Sequence, residues 1–438
     1  MKGPQFTARF LWLALGLVAL TPFGLFLPLL QDIGLAGMVL LILLALFDYW
    51  LTPRGEVVRI ERFVTEGMTT FIGLPVELRM RGLSIWPLYV RVKDEPPAEF
   101  EAIGHDLRLK LVPGRDVLMR YTIKAKRRGE FAFGDVAVEV TGPLGLAARR
   151  FFAPLKETVS VYPDVRPLRQ YVSLLARREE GAMGVRTKKY FGQGSSFESL
   201  RPYVEGDDPR KVDWKATARA SSLIVRNYEE EPYQDVVAML DCGRRMRALI
   251  GEKTKLDYAV DATLLLGYAA GLARDNVGLV AFDQKVQAYH PPQGGAAALK
   301  AMGEILYRVQ PRLVEPYYEE ILTEYAGRHP RRSLILLFSD LSDEYSSRVL
   351  IRSLVALKQR HVPVLVLFRD TDLEAVAASV PKNAAEMYRK AAAIEFVRLR
   401  RQVIQQLRTA GVDVVEAEAA QLAIETVNAY FRLKTSYF

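Results

Sequence analysis

Three sets of residues in this 438-residue chain have types and spacings suited to chemistry. Lys211, Lys215 and Arg219 recur every four residues around Trp214. Their run opens at Asp208-Pro209, where an aspartate can cap free backbone N–H groups and a proline suits the first helical position. On a helix from there to about Arg219 the three cations share one face, and Val212, Ala216 and Trp214 are placed to pack. Such a basic stripe is a docking surface for an acidic partner. The plainer alternative is a solvated face above a buried tryptophan, with Asp207, Asp208 and Asp213 holding the loop by ion pairs. The second set is Asp241 and Asp340, each just beyond an apolar run, Val236 to Leu240 and Ser333 to Phe338. Carboxylates so placed are hard oxygen ligands for a small divalent cation. The third is Cys242, which has no histidine near it in sequence to act as the base a cysteine nucleophile needs.

Other chemistries lack their residues. The chain has no serine in a Gly-x-Ser-x-Gly elbow and no Gly-rich phosphate loop ending in Lys-Ser or Lys-Thr, so any ATP hydrolysis would belong to a partner. His105, His290, His329 and His361 are too scattered for a His/Cys zinc site, and a single cysteine rules out an internal disulfide framework. The net charge of +9 could indicate nucleic acid, but no nucleic-acid motif accompanies it. Lysine and arginine near an anionic membrane leaflet gain about 1 kcal/mol each, which accounts for the excess through membrane lipid instead.

The run from Gly194 to Arg219 resembles the signature of the family catalogued as domain of unknown function 58. Arg201, Tyr203, Gly206, Asp207, Arg210, Asp213, Trp214, Ala218 and Arg219 fall at the family's spacing, and the rest of the chain agrees in order. Related proteins are commonly encoded beside AAA+ ATPases of the MoxR type, so the resemblance implies such an ATPase as a partner, at a bacterial inner membrane. The signature and its basic stripe together make Arg201, Asp207, Arg210, Lys211, Trp214, Lys215 and Arg219 the expected partner-binding residues. No catalytic residue and no cofactor is expected.

The elements that must position these residues fall into four segments, 1–54, 55–165, 166–234 and 235–438. Phe10 to Leu30 is almost wholly apolar. After the polar break Gln31-Asp32, a second apolar run extends from Ile33 to about Leu51, and each is close to the roughly 20 residues that cross a bilayer as a helix. Trp12, Tyr49 and Trp50 suit the interfacial belt. Lys2 and Arg9 before the first run, and Arg54, Arg59 and Arg62 after the second, put both termini in the cytoplasm by the positive-inside rule. A cleaved signal peptide and a buried hairpin are the alternatives. Short alternating runs then fill residues 55–165, the pattern of an Ig-like antiparallel β-sandwich, with Thr141 to Leu146 as a turn between strands. A basic, Gly-punctuated connection leads to the signature, and from Val236 onward strands alternate with helices, as in a parallel sheet covered on both faces.

With a hairpin edge after its second strand, that last segment is similar to the Rossmann-type fold of von Willebrand factor A domains, with strand order 3-2-1-4-5-6. Ligands then belong at the carboxyl ends of the first and fourth strands, where Asp241 and Asp340 stand. Metal-binding A domains place Asp-x-Ser-x-Ser after the first strand, a threonine on a later loop and an aspartate after the fourth. Here Gly243 and Arg245 stand where the serines belong, and Pro291 to Gly295 offers no threonine. Asp241, Gly243, Arg245 and Asp340 are thus the positions of a degenerate site holding no metal, with Arg244 or Arg245 placed to supply the missing positive charge. The expected function is a membrane-anchored, non-enzymatic adaptor or assembly factor that binds membrane or cytoplasmic proteins. A magnesium-dependent A-domain receptor and a membrane-associated hydrolase are the competing classes.

Overall fold

The computed structural model describes residues 5–22, 28–53, 57–65, 67–163, 196–204, 212–220, 222–229, 234–341 and 344–437. The chain divides into two compact units, Met1–Pro163 and Asp164–Phe438.

The first unit opens with β1 (Gln5–Phe6) and two apolar helices, α1 (Ala8–Leu20) and α2 (Pro28–Leu51). Gln31 and Asp32 are therefore not a break. They lie within α2, which starts on a proline at Pro28. Leu29–Leu51 is long and apolar enough to cross a membrane, whereas α1, with 13 residues, is shorter than its sequence promised. The two helices pack closely: a Cβ added at Gly37 would sit 2.8 Å from a methyl of Leu17.

The rest of this unit is β2 (Val58–Val64), β3 (Met68–Thr69), β4 (Gly73–Gly82), β5 (Leu88–Lys93), β6 (Phe100–Ile103), β7 (Asp106–Leu111), β8 (Asp116–Ala125), β9 (Gly129–Ala132), β10 (Val136–Thr141), β11 (Ala147–Ala153) and β12 (Thr158–Tyr162). One sheet runs β1-β11-β10-β5-β7, a second β2-β4-β8-β6, and β3-β12-β9 forms a third. Strict alternation builds the core between them. Val76, Leu78 and Met80 of β4 and Met119, Tyr121 and Ile123 of β8 meet Val90, Val92, Val136, Val138 and Val140, all buried. Each such aliphatic side chain contributes roughly 1.5–3 kcal/mol by leaving water. Arg62 belongs to this interior rather than to the membrane flank read from sequence. Its guanidinium pairs with Asp94 and donates to the carbonyls of Leu155 and Gly134, while Tyr121 and the amide of Glu95 also donate to Asp94.

The two apolar helices and the β-sheets are joined at the turn after β10. Asp48, near the end of α2 and fully buried, accepts hydrogen bonds from the amides of Leu144, Leu146 and Ala147 at 2.8–2.9 Å. Thr7, the N-cap of α1, donates from its hydroxyl to Gly145 O at 2.6 Å, and β1 pairs with β11. Gly142 has no room for a side chain, because an added Cβ would lie 2.5 Å from the Asp48 carboxyl. Both open ends of the helical hairpin therefore meet one turn of the sandwich.

In the second unit β13 (Ser196–Pro202) and β14 (Ile224–Glu229) form an antiparallel ribbon that brackets the short helix α3 (Trp214–Thr217). After it come β15 (Asp235–Asp241), the small hairpin β16 (Leu249–Ile250) and β17 (Lys253–Thr254), α4 (Lys255–Leu272), β18 (Asn276–Phe282), β19 (Val286–Gln293), α5 (Ala296–Leu306), α6 (Tyr318–Arg328), β20 (Ser333–Ser339), α7 (Glu344–Leu357), β21 (Val362–Phe368), α8 (Thr371–Ala378), α9 (Ala384–Thr409), β22 (Asp413–Ala417) and α10 (Leu422–Tyr437). The short helix α8 stands between β21 and the 26-residue α9. The six-stranded sheet has the order β19-β18-β15-β20-β21-β22, which counted within the domain is 3-2-1-4-5-6. Only the β18–β19 pair is antiparallel. β15 is apolar at five successive positions because both its faces are covered: Val236, Ala238 and Leu240 pack toward α4, α5 and α10, and Val237 and Met239 toward α6, α7 and α9.

Candidate functional site

The chain leaves β15 on one side of the sheet for β18, and β20 lies on its other side, so the carboxyl ends of β15 and β20 flank the point where the topology reverses. A crevice forms there by construction. Asp241 is the last residue of β15, and Asp340 follows Ser339, the last of β20.

Asp241 is enclosed. Tyr318, the first residue of α6, donates its hydroxyl to Oδ2 at 2.7 Å, Ser339 donates to the same oxygen at 2.6 Å, and the Gly243 amide donates to Oδ1 at 2.7 Å. The segment before α6 closes over this loop through Arg244 N to Val314 O and Arg312 N to Cys242 O. Burial pushes the Asp241 carboxyl above the usual aspartate value, against the pull of these three bonds and of the Arg245 charge. Proton counting agrees with that direction. The two hydroxyls also lie 2.8 Å from each other, so three oxygen–oxygen contacts share two hydroxyl protons, and a proton on Asp241 would complete the ring. Tyr318 is likewise held well above the ordinary phenol range, by burial first and then by the Asp241 charge.

Asp340 is satisfied differently. Its carboxylate accepts from the Lys255 ammonium on one oxygen, and on the other from Arg400 Nη1 at 3.1 Å and the Leu341 amide at 2.9 Å. Lys255 is placed by the capping box of Thr254 and Asp257 that starts α4, and Arg400 projects from α9, where it also bonds Glu416 and the carbonyl of Phe368. Two cations thus occupy the neighbourhood in which a metal would need an open carboxylate, and a divalent ion there would meet their repulsion at close range.

Of the arginines expected to supply this charge, Arg245 donates to the backbone carbonyl of Asp340 at 3.2 Å and pairs with Glu315 at 3.6 Å, and Arg244 pairs with Glu315 too. Gly243 has a steric reason as well. An added Cβ would fall 2.9 Å from Asp241 Oδ1, 2.9 Å from Pro316 and 3.0 Å from Val314 O, so a ligand serine does not fit without moving the closing segment. No group of three or more His, Cys, Asp or Glu side chains placed to hold a metal occurs among the described residues. Beside Asp340 and Arg400 lies a cavity of about 320 Å³, walled by α7, α8 and α9 through residues such as Arg348, Asp370 and Phe396.

The signature segment differs from its sequence reading. Asp207, Arg210 and Lys211 lie outside the described residues, as do Asp208 and Pro209. The helix in the described part is a single turn, Trp214–Thr217, and Asp213 caps it by accepting from the amides of Lys215 and Ala216, both at 2.9 Å. A lone turn has no face to bury. Trp214 is 71% exposed and is not the anchor expected of it, and Lys215 and Arg219 are exposed with Arg219 beyond the helix end. Arg201 lies on β13 opposite Val225 of β14. The ribbon is closed by Tyr203 N to Leu223 O and Asp213 N to Ile224 O, which brings the exposed Val204 and Leu223 to the same region as Trp214.

Sequence reasoning found Asp241, Gly243 and Asp340, and missed Lys255, Arg400, Tyr318 and Ser339. The capping-box pattern Thr254-x-x-Asp257 signals where α4 begins, and so places Lys255 at a helix start. Nothing in the sequence ties Arg400 to Asp340.

What these two units define is a chain with two apolar N-terminal helices, one of them long enough to cross a membrane, a β-sheet unit and an α/β unit whose carboxyl-edge acids are satisfied internally. Residues 199–395 match the family described as Protein of unknown function DUF58, which supports the resemblance read from the signature. The uncharacterized protein YeaD of Bacillus subtilis (strain 168) is 27% identical over 175 residues, 39% of this chain and 43% of YeaD. The similarity therefore spans less than half of that relative's length. Among solved structures, a FixG-related protein from Vibrio parahaemolyticus aligns over 24% of this chain and 98% of its own, at 6% identity and a TM-score of 0.19. Proximal thread matrix protein 1 of the mussel byssus aligns over 45% and 46%, at 13% identity and a TM-score of 0.24. Likenesses this remote define neither fold nor function.

Proposed function

We propose that this protein is a membrane-anchored, non-enzymatic adaptor, a two-pass protein of the bacterial inner membrane whose Ig-like sandwich and von Willebrand factor A-like domain recognise protein partners from the cytoplasmic side. The observation that carries the reading is the state of the carboxyl edge. The acid that a metal-dependent receptor would leave open is engaged by Lys255 and Arg400, and Asp241 is sealed beneath the segment before α6. Neither acid is left open as a nucleophile, a base or a metal ligand, which disfavours the hydrolase and the magnesium-dependent receptor alike. Thr7 and Asp48 meet the same turn, so both open ends of the hairpin lie together, and Arg9 and Arg59 remain as exposed basic flanks there. That arrangement favours two passes with both termini cytoplasmic.

The partner implied by the resemblance is a MoxR-type AAA+ ATPase. The exposed part of the signature, Trp214, Lys215 and Arg219, has the aromatic and cationic character enriched at interface hot spots, and is the surface we assign to it. The test is affinity capture from native membranes with the full chain, in EDTA and in millimolar Mg²⁺. Equal capture of an ATPase in both buffers, lost in Trp214→Ala with Lys215→Glu and Arg219→Glu, supports the adaptor. Capture that needs Mg²⁺ would restore the metal-dependent receptor. Trp214→Ala alone is expected to change stability by less than about 0.5 kcal/mol, since the ring is largely in solvent.

A further inference from the structure

The loop between β4 and β5 carries Leu83, Ile85 and Trp86, which are 58%, 83% and 71% exposed, an unusual run of large apolar groups to leave in water. Its place in the sandwich can be read from the ladders. β5 pairs with β10 so that Tyr89 lies opposite Thr141, one residue before the turn that holds Asp48 of α2 and Thr7 of α1. Leu83 N donates to Val57 O at 2.8 Å, and Val57 stands six residues after α2 ends at Leu51. Leu88 pairs with Leu111 and Arg81 with Asp116, which brings the loop between β7 and β8 to the same end. The end of the sandwich that grips the anchor therefore also displays Ile85 and Trp86, with Leu144 and Val112 exposed beside them and the cations of Arg81, Lys110 and Arg115 around them.

We propose that this end of the sandwich is a lipid-contacting surface: the Leu83–Trp86 loop enters the headgroup and acyl boundary of the bilayer that receives α2, and the surrounding cations face anionic headgroups. The chemistry matches the site. Tryptophan settles at the membrane interface, aliphatic neighbours gain by leaving water, and each basic residue gains on an anionic surface. The surface is continuous with the anchor, so no second binding event is needed to bring it to lipid. A joint made by Asp48 and Thr7 would then hold the sandwich flat against the membrane at two places, the helices and this loop. The inference rests on the membrane-anchor reading of α2.

The test uses the full chain in liposomes of phosphatidylcholine and phosphatidylglycerol. Trp12, Trp50 and Trp214 are all more than half exposed, so replacing them by phenylalanine to leave Trp86 as the sole tryptophan is mild. A companion keeps only Trp50, at the end of α2. The expected result is Trp86 emission that shifts to shorter wavelength, is quenched when brominated phosphatidylcholine replaces the ordinary lipid, and is shielded from aqueous iodide. Emission quenched by iodide and untouched by brominated lipid overturns the proposal, and so does shielding from both quenchers, which would mean a protein covers the loop. If Trp50 is quenched by brominated lipid and Trp86 is not, only the lipid-contacting surface fails. If neither is quenched, the anchor reading fails with it.

Discussion

Two buried aspartates in this molecule are held by opposite means. Asp48, at the joint between anchor and sandwich, is surrounded by neutral donors, the three backbone amides of the Leu144–Ala147 turn. Asp340, at the edge of the six-stranded sheet, is held by the cations of Lys255 and Arg400. Amides supplied by a tight turn are fixed in place and have no alternative partner, so the first arrangement joins two elements rigidly. Side-chain cations can be removed one at a time, so a different residue at 255 would free one oxygen of Asp340 while Arg400 kept the other. One carboxylate serves as a fastening between elements, and the other is neutralised by the chain's own cations.

The comparison breaks most sharply at Asp48. Asp48→Ala would leave three amides without their acceptor, and a buried polar group left unsatisfied costs about 1–3 kcal/mol, so a loss on the order of 3 kcal/mol or more is expected. Hydrogen exchange of the full chain in nanodiscs should show Leu144, Leu146 and Ala147 losing protection while the Val76–Met80 core of β4 keeps it. Gly142→Ala should reproduce the effect by steric means, since its Cβ would fall 2.5 Å from the Asp48 carboxyl. Unchanged protection in both variants would show that the turn does not depend on the acid.

The second effect is smaller, because Asp340 has two cations and loses one. Lys255→Ala should destabilise the protein by roughly 2–3 kcal/mol, below the 3–5 kcal/mol of a buried pair broken outright, because Arg400 remains. The wild-type protein should melt identically in EDTA and in millimolar Mg²⁺. If Lys255 holds the place of a cation, the alanine variant should regain part of its melting temperature in Mg²⁺. A ligand at 100 times its dissociation constant contributes about 2.7 kcal/mol, well within what a melting curve resolves. A magnesium shift in the wild type would sink the closed-site reading.

The sequence disclosed some of these relations and could not disclose others. The alternation of β4 and β8 and the five successive apolar residues of β15 revealed a half-buried sheet unit followed by an α/β unit, because those patterns follow directly from which faces are covered. Asp241 and Asp340 were legible because each ends an apolar strand. Lys255 and Arg400 were not, since a partner chosen by tertiary packing leaves no local mark. Arg62 was taken for a membrane flank on its position alone, and only the fold shows that Asp94 waits for it inside the sandwich. The Gln31-Asp32 pair looked like a break because charge within an apolar run usually is one, although Pro28 was the better guide to where α2 starts. Trp214 was expected in a core on the general habit of tryptophan, yet a one-turn helix gives it nothing to pack under.

The smallest effect belongs to Asp241, which stands between the two extremes: neutral donors bond its carboxyl, and the Arg245 charge also acts on it. Its folded-state value is raised by burial, so the native state holds the proton more tightly than the unfolded chain does. The sign follows from linkage. The stabilising contribution of this proton is fully present below the unfolded aspartate value of about 3.9 and is lost as pH rises through the raised folded value, with a penalty for the buried anion above it. Asp241→Asn cannot ionise and keeps an acceptor for the Gly243 amide, while the Tyr318 and Ser339 hydroxyls can turn to accept from its amide group. The melting temperature of the asparagine variant relative to wild type should therefore rise as pH increases from about 4 toward neutrality. A difference that stays flat over this range would mean that Asp241 titrates alike in both states, and that the hydroxyl ring with Tyr318 and Ser339 holds the anion as well as water does. A difference of the opposite slope would mean that the native state prefers the Asp241 anion, and that burial does not dominate there.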